Sequence, residues 1–342
     1  YRKLRRTLVF LLGNLGDFNP NEDSVPLAEL PVLDTLAVAL TLSLQSRALA
    51  AYAHHDHATA IRVVVDFVRE FLSKRYLDSR KVVLYCAGPD ALPRRAAQTT
   101  LLFIAQVLTQ LVSPVCSFLA EEVWTQLQAQ SLLPPGASAD GADATSVFDA
   151  RLPTVASVMT HLVPQSGSDC PSALGEAEAV REVLERVRGT AVRQWTRPLG
   201  VTPKGGKGSD RSDKAGGLSS HGSVSELAAV SLSVTLVSGS APHTCLLKLC
   251  EGRGGAECMQ QLLLEYTGAA ECRLTVAADC TADTGASQPG ESRAGVSVGV
   301  KRVLGLQCPR CRRWAAVEGA AAGTLCADCE AAMQAYRRRV GC

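Results

Sequence analysis

Hydrophobic positions in the first 130 residues follow the period of an amphipathic α-helix. The spacing i, i+3, i+4, i+7 recurs in a series that begins at Leu101 and in the series Ile61, Val64, Val65, Val68, Phe71 and Leu72. A further helix is predicted over residues 30–52, after a turn-forming Asn-Pro-Asn segment. Ser113-Pro114 fits a helix N-cap followed by proline at the first helical position. Residues 1–130 are therefore predicted to form an all-α helical bundle.

The pattern changes after residue 130. Residues 131–173 include a run of Ala, Gly, Ser and Asp and are predicted to be a linker. Residues 174–300 are predicted to be a junction domain that starts with a helix over 174–196 and continues as a small α/β unit. The strands of that unit are predicted at 227–237, 246–249 and 273–276, with a helix at 257–266. Residues 203–223 are a low-complexity insertion that we expect to be disordered, and residues 281–294 are expected to be a loop.

One stretch is long and apolar enough to suggest a membrane span. Residues 96–120 carry no charge, but they contain three glutamines, and Pro114 would break a single helix. We therefore expect two buried helices that meet at Ser113-Pro114, and no contact with a membrane.

Charge and cysteine content narrow the class of protein. The 342 residues include 35 basic and 33 acidic side chains, so the chain is not a polybasic protein. Any surface that binds nucleic acid must therefore be a local patch of positive charge. Thirteen cysteines with irregular spacing do not fit a secreted disulfide scaffold, so we expect a reducing compartment. The chain begins at Tyr1, with no leader pattern, and we expect it to be a piece of a longer protein.

The strongest chemical motif lies in residues 301–342. Two C-x2-C pairs, separated by 14 residues, supply the four thiols Cys308, Cys311, Cys326 and Cys329. Four sulfur ligands are typical of tetrahedral Zn²⁺, and a site filled by protein ligands leaves no position for water. We therefore predict a zinc-binding domain, a four-cysteine zinc knuckle with one structural Zn²⁺. The alternative is that these are unrelated core cysteines.

Two basic clusters are candidate contacts for nucleic acid. The tail holds eight basic and three acidic residues, and the start of the chain is basic up to Asp17. Positive charge beside an aromatic side chain suits phosphate attraction and base stacking. The candidate residues are Arg2, Lys3, Arg5, Arg6, Arg310, Arg312, Arg313 and Trp314. Trp314 either stacks on a base or fills the small core beside the zinc.

No catalytic set of residues is visible in the sequence. The Lys204-Gly205-Gly206-Lys207 segment lacks the spacing of a phosphate-binding loop. His54, His55 and His57 fall between two predicted helices, where a solvated loop is expected. We predict no catalytic residues in this chain.

Several sequence blocks, in order, resemble one enzyme family. The start Tyr1-Arg2-Lys3-Leu4-Arg5-Arg6-Thr7 and the blocks at residues 10–15, 17–20, 71–78, 84–86, 98–101 and 113–124 resemble the anticodon-binding domain of isoleucyl-tRNA synthetases, which are class I aminoacyl-tRNA synthetases. The helix around residues 180–188, followed by Leu199-Gly200, is similar to the family's C-terminal junction region. The four-cysteine tail is similar to the zinc domain that ends the bacterial and organellar form. The family's HIGH-type and KMSKS-type signatures and its editing domain are not present in this chain.

The resemblance implies a role in tRNA binding. The chain would be the C-terminal part of isoleucine-tRNA ligase and would position the anticodon arm of tRNA(Ile) for a catalytic domain outside it. ATP and Mg²⁺ would be used only by the full-length enzyme. We expect a monomer that binds no DNA, in the bacterial cytoplasm or in the mitochondrial or plastid matrix.

Two alternatives remain open at this stage. One is a stand-alone tRNA-binding or scaffold protein derived from the synthetase, without catalysis. The other is a DNA-repair glycosylase, which has a similar zinc finger but needs an N-terminal proline next to a glutamate, where this chain has Tyr1-Arg2.

Overall fold

A computed structural model describes most of the chain. The described residues are 1–133, 145–153, 158, 170–196, 230–250, 253–277, 295–302, 306–308, 310, 314–315 and 325–340. Within them the protein is mostly helical, with a small three-stranded sheet and a cysteine cluster near the C-terminus. The predicted insertion at 203–223 and the predicted loop at 281–294 lie outside the described residues.

The first 130 residues form helices that pack around one apolar core. The α-helices are α1 (Arg2–Gly13), α2 (Pro20–Asp23), α3 (Val32–Ala53), α4 (His57–Asp66), α5 (Leu77–Cys86), α6 (Leu92–Val112) and α7 (Ser117–Ala129). A 3₁₀ turn at Leu27–Glu29 precedes α3, and a π-helical segment, Phe67–Tyr76, joins α4 to α5 without a break. Helix α3 is buried on nearly all sides, because α4 and α6 pack against it. The predicted helical character of this region is confirmed.

The predicted cap at Ser113-Pro114 is wrong in position. The N–H groups of Val115 and Cys116 both donate to the carbonyl of Val112, so the chain makes a turn before α7 begins at Ser117. The two separate helices expected over residues 96–120 are present as α6 and α7. Among the described residues, a different helix, α3, is long and apolar enough to cross a membrane, and 67% of its apolar window is buried inside the protein.

A long helix, α8 (Cys170–Thr196), connects the bundle to the rest of the protein. Its apolar stripe of Val180, Val183, Leu184 and Val187 is buried. It packs against α3 on one side and against α9 (Ala241–Cys250) and β3 (Val296–Arg302) on the other. The division of the chain into a bundle, a linker and a junction domain stays a prediction, since this helix contacts both parts.

The small α/β unit has a mixed sheet in the order β2-β1-β3. Strand β1 (Val230–Val237) pairs in parallel with β2 (Glu271–Ala277) and antiparallel with β3. Helices α9 and α10 (Ala256–Thr267) form the crossover between the parallel strands. The strand predicted at residues 246–249 is wrong, because these residues lie in α9. A short apolar run does not distinguish a strand from a helix, and here Leu246 and Cys250 are buried one helical turn apart.

The C-terminal segment contains a two-stranded hairpin and a helix. Strand β4 (Leu306–Gln307) pairs antiparallel with β5 (Trp314–Ala315), and α11 (Ala327–Val340) ends the described chain. This hairpin followed by a helix brings three of the four predicted metal ligands together, Cys308, Cys326 and Cys329.

Candidate nucleic-acid interface and metal centre

Helix α1 presents four basic side chains on its solvent face. Leu4, Leu8 and Leu11 anchor the helix in the core, which turns the opposite face outward. All four of its predicted contact residues are exposed: Arg2, Lys3, Arg5 and Arg6. Arg5 is paired with Glu122 of α7 at 3.1 Å, so part of its charge is already balanced.

The C-terminal end of α1 is fixed by a polar network. Gln98 Nε2 on α6 donates to the carbonyl of Asn14 at 2.9 Å and to Asp17 Oδ1 at 2.7 Å. Arg94 donates to Asp17 Oδ2 at 2.8 Å. Burial raises the pKa of Asp17, but the hydrogen bonds from Arg94 and Gln98 outweigh it and leave the pKa below its ordinary value of 3.8. These hydrogen bonds connect the end of α1 to α6.

Two exposed aromatic side chains lie next to this basic face. Phe118, one helical turn before Glu122 on α7, is 93% exposed, and Tyr1, one turn before Arg5, is 71% exposed. Because Arg5 and Glu122 are in contact, both aromatic rings belong to the same edge of the bundle. Sequence reasoning missed Phe118, although it falls outside the buried stripe formed by Leu119, Val123 and their neighbours on α7.

Three of the four predicted metal ligands converge at the C-terminus. The sulfur atoms of Cys308, Cys326 and Cys329 all lie within 4.8 Å of one another. Cys308 and Cys329 are buried, and the backbone N–H of Cys326 donates to the Cys308 sulfur at 3.4 Å. Such N–H donation stabilises a thiolate, so the donor set and its burial fit a Zn²⁺ ion. Cys311 lies outside the described residues.

Of the four nucleic-acid contacts predicted in the tail, the structure describes the side chain of one, Arg310. Arg310 is half-buried and donates to the carbonyl of Cys329 at 3.2 Å, so it braces the cysteine cluster. Arg312 and Arg313 lie outside the described residues. Trp314 belongs to β5, but its side chain is not among those described, and the choice between stacking and core packing stays open.

The cysteine cluster packs against the helical bundle. Cys86 and Val82 on α5 contact the buried Cys308 and Cys329, together with Leu325. The next residue on α5, Tyr85, is 58% exposed. The tail therefore packs against α5 of the bundle. The sequence did not predict this contact.

Buried ion pairs between side chains connect α5 and the π-helical segment to the α/β unit. Arg80 on α5 lies 3.2 Å from Asp34 Oδ1 and donates to Glu265 Oε2 of α10 at 2.8 Å. Tyr76 donates to the same Asp34 oxygen at 2.6 Å. Burial raises the pKa of Asp34, while the charge of Arg80 and the Tyr76 hydrogen bond act against that rise. Burial also raises the pKa of Tyr76 well above its ordinary value, so the phenol stays protonated as the donor.

A second ionic contact lies beside the first. Arg75 donates to both oxygens of Glu185 on α8, at 2.6 and 2.9 Å, and Tyr266 of α10 donates to Glu185 at 2.9 Å. Burial raises the pKa of Glu185, but the Arg75 hydrogen bonds and charge outweigh it and lower the pKa overall. Together the two networks connect α3, α5, α8 and α10 to one another.

Part of the helical region matches a known protein family. Residues 34–192 match the family described as the anticodon-binding domain of tRNA ligase. This region is similar to the anticodon-binding domains of tRNA ligases. The resemblance predicted from the sequence blocks is therefore confirmed over this part of the chain.

Bacterial isoleucine–tRNA ligases are similar over the same anticodon-binding region. The chain is 36% identical to the enzyme of Xanthomonas axonopodis pv. citri over 188 residues, which are 55% of this chain and 19% of that protein. It is 43% identical to the Bordetella petrii enzyme over 133 residues, 39% of this chain and 14% of that protein. The Bacillus mycoides enzyme is 38% identical over 150 residues, 44% of this chain and 16% of that protein. The matched segment spans less than a fifth of these relatives.

Proposed function

We propose that this chain binds the anticodon arm of tRNA(Ile) as the C-terminal portion of an isoleucine–tRNA ligase. The observation that carries the proposal is the exposed basic face of α1, mounted on a bundle of the anticodon-binding type. In this role the chain holds one end of the tRNA, so that the acceptor end reaches a catalytic domain outside it.

The geometry of the α1 edge suits a looped single strand of RNA. Arg2, Lys3 and Arg6 attract the phosphates of the arm without reading its sequence. Unstacked bases of an anticodon loop are recognised on their edges and by aromatic stacking. Phe118 and Tyr1 offer ring faces to such bases beside the basic side chains.

The C-terminal tail supplies a second contact in this proposal. Cys308, Cys326 and Cys329, with Cys311 as the fourth ligand, hold one Zn²⁺, which has a structural role because all its ligands are protein sulfurs. Arg310 donates to the carbonyl of Cys329, so this cation stays beside the cysteine cluster, which packs against α5. Arg312, Arg313 and Trp314 would extend this contact.

Catalysis lies outside this chain in the proposed arrangement. ATP and Mg²⁺ are used by the catalytic domain, and the purified chain should give no isoleucine-dependent ATP–pyrophosphate exchange. Exchange above background would show that this chain itself activates isoleucine, which would contradict the proposal. A stand-alone tRNA-binding or scaffold protein is the alternative, and an in-frame ATP-binding signature in the gene upstream of Tyr1 would decide against it.

The proposal is tested by binding of a fluorescent tRNA(Ile) anticodon stem-loop at several salt concentrations. The double variant Arg2→Ala/Arg6→Ala should weaken binding and lower the slope of log affinity against log salt by about one for each phosphate that the protein no longer neutralises. Arg273→Ala, an exposed cation on β2, is the matched control and should bind as the parent protein does. An unchanged slope in the double variant would remove α1 from the interface.

A further inference from the structure

Helix α5 is covered on two opposite sides. Leu77, Arg80 and Leu84 recur at helical spacing and are buried, on the side that faces the bundle core and α10. Val82 and Cys86 lie one turn apart on the other side, because each residue turns an α-helix by about 100°. Cys86 is 9% exposed and Val82 is half-buried. A surface helix usually has one apolar stripe, so this second stripe needs a cover of its own.

The tail supplies this cover. One apolar cluster joins side chains of α5 to side chains of the tail, and its members are Val82, Cys86, Cys308, Leu325, Cys326 and Cys329. Three of the four members from the tail are the cysteines whose sulfur atoms lie within 4.8 Å of one another. The fourth, Leu325, directly precedes Cys326, and helix α11 also lies against α5. The surface that covers α5 is therefore made of the candidate metal ligands and their neighbour.

The shape of this surface depends on what holds the sulfur atoms together. Cys308 and Cys326 are 18 positions apart, and strands β4 and β5 have two residues each. An isolated two-stranded hairpin is marginally stable at best in water, and small metal modules derive their folding free energy from the bound ion. Zinc is therefore what keeps Cys308 and Cys329 in the arrangement that fits α5.

We propose that Val82 and Cys86 are positioning residues of the metal site. They are not ligands, since Cys86 is outside the set of described sulfur atoms that lie within 4.8 Å of one another. The zinc-loaded tail docks on them, and docking and zinc binding stabilise each other. Because such coupling is reciprocal, loss of zinc uncovers this side of α5, and a change that weakens docking lowers the affinity for zinc. The inference rests on the proposed zinc site and does not involve tRNA.

The thiol of Cys86 reports whether the tail is docked. The full chain is reduced and prepared in two forms, one loaded with zinc and one stripped of metal by a chelator. Both forms are exposed briefly to N-ethylmaleimide, and the modified cysteines are mapped by mass spectrometry. We expect Cys86 to react about 5–150 times faster in the stripped form, the range typical of coupled sites. Cys250, fully buried in the α/β unit, is the internal control and should stay protected in both forms.

A second experiment measures the coupling from the other direction. The zinc affinity of each variant is determined by competition with a chromophoric chelator. Val82→Asp places a charge under the tail and should weaken zinc binding about 5–150-fold, although every ligand is intact. Val82→Ala removes apolar contact without adding a charge and should shift the affinity in the same direction by a smaller factor. Val65→Asp, at a half-buried valine of α4 outside the cluster, is the matched control and should bind zinc as the parent does.

The outcomes separate this inference from the zinc site itself. Zinc uptake with equal reactivity of Cys86 in both forms would overturn the inference alone, as would unchanged zinc affinity in both Val82 variants. Equal exposure of Cys86 and Cys250 on metal removal would also overturn it, because the whole chain would then unfold instead of releasing the tail. A chain that takes up no zinc would overturn the metal site together with the inference.

Discussion

Arg80 is the buried cation on which the contact between the bundle and the α/β unit depends. Its side chain is 3% exposed, and it lies between Asp34, which is fully buried, and Glu265, which is 17% exposed. The substitution Arg80→Met keeps much of the volume and removes the charge. It leaves Asp34 buried beside the Tyr76 hydroxyl without the positive partner that Arg80 supplies.

The size of the effect follows from the geometry. Removing one partner of a buried ion pair costs about 3–5 kcal/mol, because the remaining charge is uncompensated. With a urea dependence of about 2–3 kcal/mol per molar, the unfolding midpoint should fall by about 1–2.5 M. Circular dichroism during urea unfolding measures this shift.

A control and a rescue variant make the result interpretable. The exposed pair of Lys74 and Glu70, at 2.7 Å, has a similar distance but is solvated, so Lys74→Met should cost no more than about 0.5 kcal/mol. The double variant Asp34→Leu/Arg80→Met removes both charges and should recover part of the loss. A midpoint for Arg80→Met as close to the parent as that of Lys74→Met would show that the buried charge of Arg80 does not stabilise the fold.

Three further predictions concern the metal, the α1 edge and acid stability. Cys329→Ser should lower the bound zinc from one per chain and melt the C-terminal segment while the bundle stays folded, whereas the control Cys272→Ser should retain the metal; elemental analysis and circular dichroism read out both effects. Phe118→Ala should reduce affinity for the anticodon stem-loop by the equivalent of about 1–3 kcal/mol with little change in salt slope, as binding titrations will show, and unchanged affinity would exclude stacking. Glu185 has a pKa below its ordinary value of 4.5, so it stabilises the fold above that pH and the stabilisation is lost as pH falls through the lowered pKa; Glu185→Gln should flatten this acid loss in urea midpoints measured across the range, and an equally steep loss would contradict it.

Local patterns in the sequence predicted most of the helices. The apolar spacing around Val64 and Leu101 lies in α4 and α6, and the alternating segment before Val237 became β1, because burial on one face fixes the period of each element. The paired cysteines of the tail could also be predicted from a local pattern, since the two ligands of each C-x2-C pair are close in sequence. The short run that includes Leu246 was assigned to the wrong element, as its four residues fit both periods. The start of α7 was also placed three residues too early, at Pro114 instead of Ser117.

Contacts between distant residues could not be read from the sequence. Arg80 and Glu265 are 185 positions apart, and no local pattern pairs them. The same applies to the packing of Cys86 on the metal cluster. Phe118 is a different case, because its place off the apolar stripe of α7 was a usable signal that it faces solvent.

Chemical footprinting of full-length tRNA(Ile) shows which part of the tRNA this chain contacts. The tRNA is cleaved by hydroxyl radicals with and without the purified, zinc-loaded chain, and protection is mapped along every nucleotide. We expect protection concentrated in the anticodon stem and loop and lost in the Arg2→Ala/Arg6→Ala variant. Protection centred on the acceptor end, or a pattern that the double variant leaves unchanged, would contradict it.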